Sequence, residues 1–305
     1  MQTVAISVGD LNGIGIQLIL ETHHVISQLI NPLYCIDNLM LEQAAKKLAL
    51  DIPKNFRTIE DIAPYFEIDA GVVSKKSGAY AYASFVKAVD LAKEKKVDAI
   101  CTLPIHKKAW ELAGVKYKGH TDALRDFFDA DAIMMLGCEK MYVALFTEHI
   151  PLKEVAKSIN EKDLTRFLQD FYKTAKPRKK VAVLGLNPHA GDDGVLGDEE
   201  EVIQKAIDNA HTEIGQNIFS KPLVPDVAFT SRVRANYSHY IAMYHDQGLA
   251  PLKALYFDEG INVSLNLPIL RTSVDHGTAF DIAYTHTTLN TLSYINAIHY
   301  IKENL

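Results

Sequence analysis

At 305 residues, 48% of them hydrophobic and 23% charged, the chain has the make-up of a folded protein of one large or two ordinary domains, not of a disordered one. Its formal charge of −6 excludes a nucleic-acid partner as the default, since a phosphate backbone rewards a basic surface, but leaves room for a local basic site that takes a small anion. The opening MQTVAISVGDLNG has no basic-then-apolar leader pattern, apolar runs such as Met141–Phe146 fall far below the ~20 residues of a membrane span, and the cysteines number three without metal-type spacing. The expectation is a soluble cytoplasmic protein with no membrane partner.

Short β-rich apolar runs alternate with helical periods, which predicts an α/β fold with a largely parallel sheet. Thr3–Val8 reads as a strand, followed by a glycine-rich turn and an amphipathic segment to about Leu29. Asn38–Leu50 reads as a helix capped by Asp37 or Asn38. Ser77 is placed to cap a long helix reaching about Lys96, with Ala81, Phe85, Ala88, Val89 and Ala92 on its apolar face. Val97–Leu103 is the next strand. Ile133–Leu136 and Met141–Thr147 pair as a hairpin about a turn containing Gly137. Asn160 caps a helix to about Ala175, and Val181–Leu186 is a strand. Gly197 opens a helix whose first turn carries Asp198, Glu199, Glu200 and Glu201, the right sign for its dipole. Tyr240–Tyr244 and Ile261–Leu265 are later strands, and Asn290–Glu303 is a final helix.

Three of these strands run into a histidine: Met141–Thr147 into His149, Val181–Leu186 into Asn187-Pro188-His189, and Tyr240–Tyr244 into His245. Ligands of open α/β sheets bind beyond the carboxyl ends of strands, so three imidazoles at matched positions suit one divalent metal with coordination places left for substrate. Each histidine alone reads more simply as a loop residue bonded to a backbone carbonyl; together they favour the metal. Groups fit for a small anion occur in similar segments. Thr121 in Gly119-His120-Thr121-Asp122 can cap a helix whose first N–H groups form an anion site. Lys253 follows His245, Asn262 lies in a strand, and Arg271 stands beyond Pro268; an Arg fork with a Lys point charge suits phosphate and carboxylate. As solvated surface charges, Lys253 and Arg271 would mean nothing.

The loop Gly9–Gly15 follows a strand and opens a helix, but its glycines do not fit GxGxxG and no acid closes a second strand at the dinucleotide spacing. A turn that needs glycine is the safer reading. The loop Gly191 to Glu200, with Gly191, Gly194 and Gly197, is a candidate cofactor loop near a ribose or pyrophosphate. Asp226 and Asp246 (with Asp275) are candidate bases or orienting partners of an imidazole.

The segments LPIHK (Leu103–Lys107), GHTD (Gly119–Asp122), TEHIPL (Thr147–Leu152), LNPHAGDDGVLGDEE (Leu186–Glu200), AMYHDQGLAPLK (Ala242–Lys253) and INVSLNLPILRTSVDHGTA (Ile261–Ala279) together resemble the 4-hydroxythreonine-4-phosphate dehydrogenase (PdxA) family, in family order and over nearly the whole chain. The opening loop departs from the family's GDPxGIGPE, lacking both prolines and the acid, and Thr102-Leu103-Pro104 replaces its TGP. The resemblance implies an isocitrate/isopropylmalate dehydrogenase-like fold of two α/β domains with a cleft between them, residues 1–120 plus 270–305 forming the first and 121–269 the second. It implies His149, His189 and His245 as divalent-metal ligands and His120, Thr121, Lys253, Asn262 and Arg271 as substrate-binding residues. It further implies a homodimer with its active site at the subunit interface, NAD or NADP as cofactor, and zinc, magnesium, manganese or cobalt as metal. The implied reaction is oxidation of 4-phosphooxy-L-threonine at C3 and loss of carbon dioxide, giving 3-amino-2-oxopropyl phosphate for vitamin B6 synthesis. The alternatives are a dehydrogenase of a four-carbon sugar acid phosphate such as threonate 4-phosphate, a three-histidine metal hydrolase, and a non-catalytic metal- or phosphate-binding protein.

Overall fold

The alternation read from the sequence becomes ten strands and twelve α-helices in a computed structural model that describes residues 1–305. The chain divides into two compact units, one of Met1–Ala130, Ile261–Val263 and Leu267–Leu305, the other of Asp131–Gly260 and Ser264–Asn266. In chain order the first unit holds β1 (Thr3–Ser7), α1 (Gly15–Leu29), β2 (Asn31–Cys35), α2 (Asn38–Leu48), α3 (Lys75–Lys93), β3 (Ala99–Thr102), α4 (Lys107–Leu112) and α5 (His120–Phe128). The second holds β4 (Ile133–Cys138), β5 (Met141–Leu145), α6 (Leu152–Ser158), α7 (Glu161–Ala175), β6 (Val181–Leu184), α8 (Glu199–Ile214), β7 (Phe219–Leu223), α9 (Pro225–Ala228), α10 (Ser231–Arg234), β8 (His239–Ala242) and α11 (His245–Tyr256). Residues of β9 (Ile261–Leu265) fall to both units, and β10 (Leu270–Val274) and α12 (Leu292–Asn304) return to the first.

In the first unit β2, β1, β3 and β10 lie side by side and all run parallel. The predicted face of α3 is the buried one: Ala81, Phe85, Ala88, Val89 and Ala92 pack with Ile100, Trp110 and Leu124. A fully buried side chain of the size of Phe or Val contributes about 1.5–3 kcal/mol. The cap of α3 is Ser74, whose hydroxyl accepts from Ser77 N at 3.1 Å, not Ser77 itself. Ser77 instead donates to Asp10 Oδ2 at 3.2 Å, tying the helix to the loop after β1. That loop lies tight against its neighbours: Gly9 has φ +70, a Cβ there would overlap Pro104 O, and Ile14 N donates to Thr278 O at 3.1 Å. The glycines therefore serve backbone approach, as the turn reading holds. Burial pushes the Asp10 carboxyl up to about 6, against bonds from Asn12 N and Ser77. Asp37 takes the cap position of α2 without capping it; its carboxylate accepts from Tyr80 and from Ile62 N.

The second unit pairs β4 antiparallel to β5, then sets β5, β8, β6 and β7 parallel in that order. Asn160 caps α7 as expected, its Oδ1 accepting from Asp163 N at 2.9 Å. Acidic residues do open α8, though Asp198 makes no side-chain cap. The hairpin turn is Glu139-Lys140, because Cys138 pairs with Met141. Gly137 is thus a strand residue opposite Tyr142, correcting its placement in the turn. Its φ is +138, and a Cβ on it would overlap Met141 O. Strands β2, β7 and β10, and helices α4, α6, α9, α10 and α11, add to the elements read from sequence.

The hairpin sets a direct check. Gly137→Ala is expected to lower unfolding free energy by about 1–3 kcal/mol, through the forced positive φ and the clash across the pair. Urea unfolding reads this; a change within about 0.5 kcal/mol contradicts the account of the hairpin.

Candidate active site

The three histidine-bearing strands turn out to be neighbours. Parallel β5, β8 and β6 lie side by side, with Leu145 opposite Ala242 and Val183 opposite Ile241. Parallel neighbours end on the same edge, so His149, His245 and His189 all follow carboxyl ends on one edge of the second unit. Pairing continues past the strands: Phe146 N donates to Ala242 O at 2.9 Å and Thr147 N to Met243 O at 3.2 Å. This carries His149 and His245 together, with ring centroids 5.5 Å apart and planes at 44°. Two imidazoles bound tetrahedrally to one ion through nitrogens at about 2.0–2.1 Å have centroids roughly 5 Å apart, so this pair fits a shared divalent cation. His245 Nδ1 lies 2.6 Å from Asp246 Oδ1. A carboxylate only accepts, so Nδ1 carries a proton and, in the neutral ring, Nε2 holds the lone pair that a metal needs. This contact is the one an orienting role for Asp246 calls for.

His189 is not brought into that pair: no three His, Cys, Asp or Glu side chains of the chain stand together in metal-binding geometry. It is exposed in a 3-10 turn, Pro188–Gly191, with φ +53, and the left-handed run continues through Ala190, Gly191, Asp192, Asp193 and Gly194. The turn is anchored from behind. Glu200 Oε1 accepts from Leu186 N and Asn187 N at 2.7 Å each, and Asn187 Nδ2 donates to Glu199 at 2.7 Å. Of the acids that open α8, Glu200 therefore faces inward to backbone and Glu199 to the Asn187 side chain, while Asp198 and Glu201 are exposed. Gly197, at φ +144, lies against the Asn187 side chain, whereas a Cβ on Gly194 would meet nothing within 4 Å. Asp226 is exposed on α9, which packs on the His189 turn.

The first unit carries the anion-type groups. Arg271, on β10, is 2% exposed and donates to Thr102 Oγ1 at 2.6 Å, so it is not a solvated surface charge. Burial brings its guanidinium down to about 10, still charged at neutral pH. His120 opens α5 with its ring edge-on to Phe85 and Trp110, at 4.8 and 5.3 Å between centroids. Burial first, and the Arg271 charge second, hold it well below its ordinary 6.5. Its Nε2 is buried with no partner in the chain, as is Oδ1 of Asn262 on β9. Such orphans are costly unless a ligand or water meets them. Gly119, not Thr121, holds the cap position of α5 and makes no side-chain cap; Thr121 is buried in the first turn. The first N–H groups of α5 are therefore free of a capping side chain, as an anion site requires. Lys253, in the second unit, lies on α11 with Nζ 5.7 Å from the Phe257 ring centroid.

Some polar groups had no assigned part in the sequence reading. His106 Nδ1 and His276 Nε2 are also buried without partners, and His106 stacks on Phe280 at 4.9 Å. Both lie in family-like segments, Leu103–Lys107 and Ile261–Ala279, which were the available signal.

Each unit is thus an α/β layer with candidate groups on its parallel strands, imidazoles beyond strand ends in the second and a buried guanidinium in the first. Comparison with known proteins gives the chain a family. The model of the "Pyridoxal phosphate biosynthetic protein PdxA" family matches residues 28–301. A protein of Sulfurimonas denitrificans named 4-hydroxythreonine-4-phosphate dehydrogenase is 60% identical over 295 residues, covering 97% of this chain and 95% of its own. One from Helicobacter pylori with the same name is 48% identical, covering 98% of each. The crystal structure of a 4-hydroxythreonine-4-phosphate dehydrogenase from Burkholderia phymatum superposes with TM-score 0.82 at 31% identity, over 99% of this chain and 98% of that one. The chain belongs to the PdxA family, and it is an oxidoreductase.

The buried state of His120 has a consequence for pH. Its folded pKa is depressed, so the unfolded chain takes up the proton first, and stability is lost as pH falls below about 6.5. His120→Gln, which cannot titrate, is expected to lose less stability than the native chain between pH 7.5 and 5. Denaturant unfolding at both pH values measures the difference; an equal loss in both proteins contradicts it.

Proposed function

We propose that this chain oxidises 4-phosphooxy-L-threonine at C3 with NAD or NADP and releases carbon dioxide, giving 3-amino-2-oxopropyl phosphate for pyridoxine 5'-phosphate synthesis in the cytoplasm. The observation that carries the reading is the pairing of His149 with His245 beyond neighbouring parallel strands, in a chain 60% identical to a protein named for that activity. No helix is long and apolar enough to cross a membrane.

His149, His189 and His245 are the residues that would hold a divalent cation, which supplies Lewis acidity at the substrate's C3 oxygen and serves again during decarboxylation. Asp246 keeps His245 in the tautomer that offers Nε2. The buried guanidinium of Arg271, Nε2 of His120, the first turn of α5 at Thr121, and Lys253 take the substrate's phosphate and carboxylate. An anion there also offsets the cost of burying the Arg271 charge. Asn262 Oδ1 is an orphan acceptor, matched by a hydroxyl or ammonium group of substrate. Asp226, exposed beside the His189 turn, is the remaining candidate base. The loop with Gly191, Gly194 and Gly197 is assigned to NAD(P), the two-electron acceptor; the open space at Gly194 supports close approach there.

The same reading makes the protein a homodimer with the active site at the subunit interface. Ile150, Leu152, Val195, Leu196 and Val227 are exposed apolar residues next to the His149, His189 and Asp226 segments, as a face meant to be covered would show.

The test is NADH or NADPH formation, followed by near-ultraviolet absorbance, with 4-phosphooxy-L-threonine and threonate 4-phosphate offered in parallel. Turnover of the first, lost with chelator, is expected; a protein that consumes substrate without reducing NAD(P) is a hydrolase instead. Arg271→Lys keeps the charge but loses the fork, and kcat/KM is expected to fall about ten- to a hundredfold, the worth of a charged hydrogen bond. His189→Ala is expected to abolish turnover and weaken metal binding. Full activity in that variant, with the metal still bound, removes the three-histidine assignment.

A further inference from the structure

Three histidines can share an ion only if three separate strand ends stay in register, and the histidines themselves do not enforce this. Between β5 and β8 the ladder runs on as far as Thr147 N and Met243 O, but between β6 and β8 it ends at Leu184 and Ala242 and gives way to loops and to the first turn of α11. What bridges the gap is a short chain of hydrogen bonds through two side chains. Gln247, in the first turn of α11 and 9% exposed, uses both ends of its amide. Its Oε1 accepts from Met243 N at 2.7 Å, and its Nε2 donates to Gly185 O at 2.6 Å. Met243 O accepts in turn from Thr147 Oγ1 at 2.6 Å and from Thr147 N at 3.2 Å. The continuous path Gly185, Gln247, Met243, Thr147 joins the ends of β6, β8 and β5. His149 follows Thr147 by two residues, His245 follows Met243 by two, and His189 follows Gly185 by four. Gly248 lets the helix come down on this edge, since a Cβ there would crowd Ala242 and Val143.

We propose that Gln247 and Thr147 are positioning residues for the metal site, a clamp that sets the spacing of the three imidazole-bearing strand ends; this rests on the metal reading given above. Neither side chain need touch metal or substrate. Gln suits its place because one backbone group offers a donor and the other an acceptor; a Met of the same length satisfies neither. Thr suits its place through the hydroxyl donor, which Ser retains and Val lacks. Partners one shell out from a metal ligand typically change affinity about ten- to a hundredfold when removed.

The experiment is titration of the metal-free full-length protein with cobalt(II), read by its visible absorption at a temperature where every variant remains folded. Gln247→Met and Thr147→Val are each expected to bind cobalt(II) about ten- to a hundredfold more weakly than the native chain, and Thr147→Ser to bind like it. His245→Ala, which removes a ligand, is expected to lose binding outright. A merely structural role for the clamp would lower the melting temperature of Gln247→Met and Thr147→Val and leave their cobalt affinity native. That result, with His245→Ala still deficient, overturns the clamp alone. Native cobalt affinity in His245→Ala overturns the metal reading beneath it, and the clamp with it.

Discussion

The arrangement depends on one constraint: parallel strands that pair side by side must end on the same edge of their sheet. Because β5, β8 and β6 are such neighbours, residues 149, 245 and 189, scattered across nearly a hundred positions of sequence, all emerge on one edge. Backbone bonds between Thr147 and Met243 extend the pairing far enough to bring two rings together. Remove the parallel adjacency and no local feature of TEHIPL, NPHAG or YHDQG would bring their histidines to one edge.

A second constraint is the cost of burying charge. A guanidinium at 2% exposure persists only with hydrogen bonds or an anion to meet it. Thr102 supplies one such bond. The neighbouring imidazole is held neutral by its burial and by that same charge, so it adds no positive charge of its own beside Arg271. The apolar packing of His120 against Phe85 and Trp110 keeps the low-dielectric setting in which such attraction is strong. The PdxA-family substrate named by the relatives carries a phosphate, the chemistry such a group rewards.

Much of this was legible in the sequence, and the exceptions have physical causes. Strands with continuous apolar runs, such as Val181–Leu184, announce themselves; β2 and β7 do not, because Pro32 and Pro222 interrupt five-residue strands. Strand β10 reads LRTSV, polar in composition, and is buried through specific bonds such as Thr272 Oγ1 to Ala297 O, which no periodicity reveals. Ser74 and Ser77 both suit a helix start, and only geometry shows that the second hydroxyl is spent on Asp10. Thr121 misled in the same way, the extended backbone of Gly119 having taken the cap position. Strand-end histidines were visible as a pattern, but the Gln247 amide that links Met243 to Gly185 was not. Its two partners are backbone groups of Gly185 and Met243, far apart in the sequence.

The central claim is that His149, His189 and His245 ligate one divalent cation, although the chain alone brings only two of them together. Anomalous diffraction from crystals grown with cobalt(II) tests it most directly. The account predicts one strong peak at about 2.0–2.2 Å from a ring nitrogen of each of the three. A peak held by other side chains, or one that His189 does not reach, would contradict it.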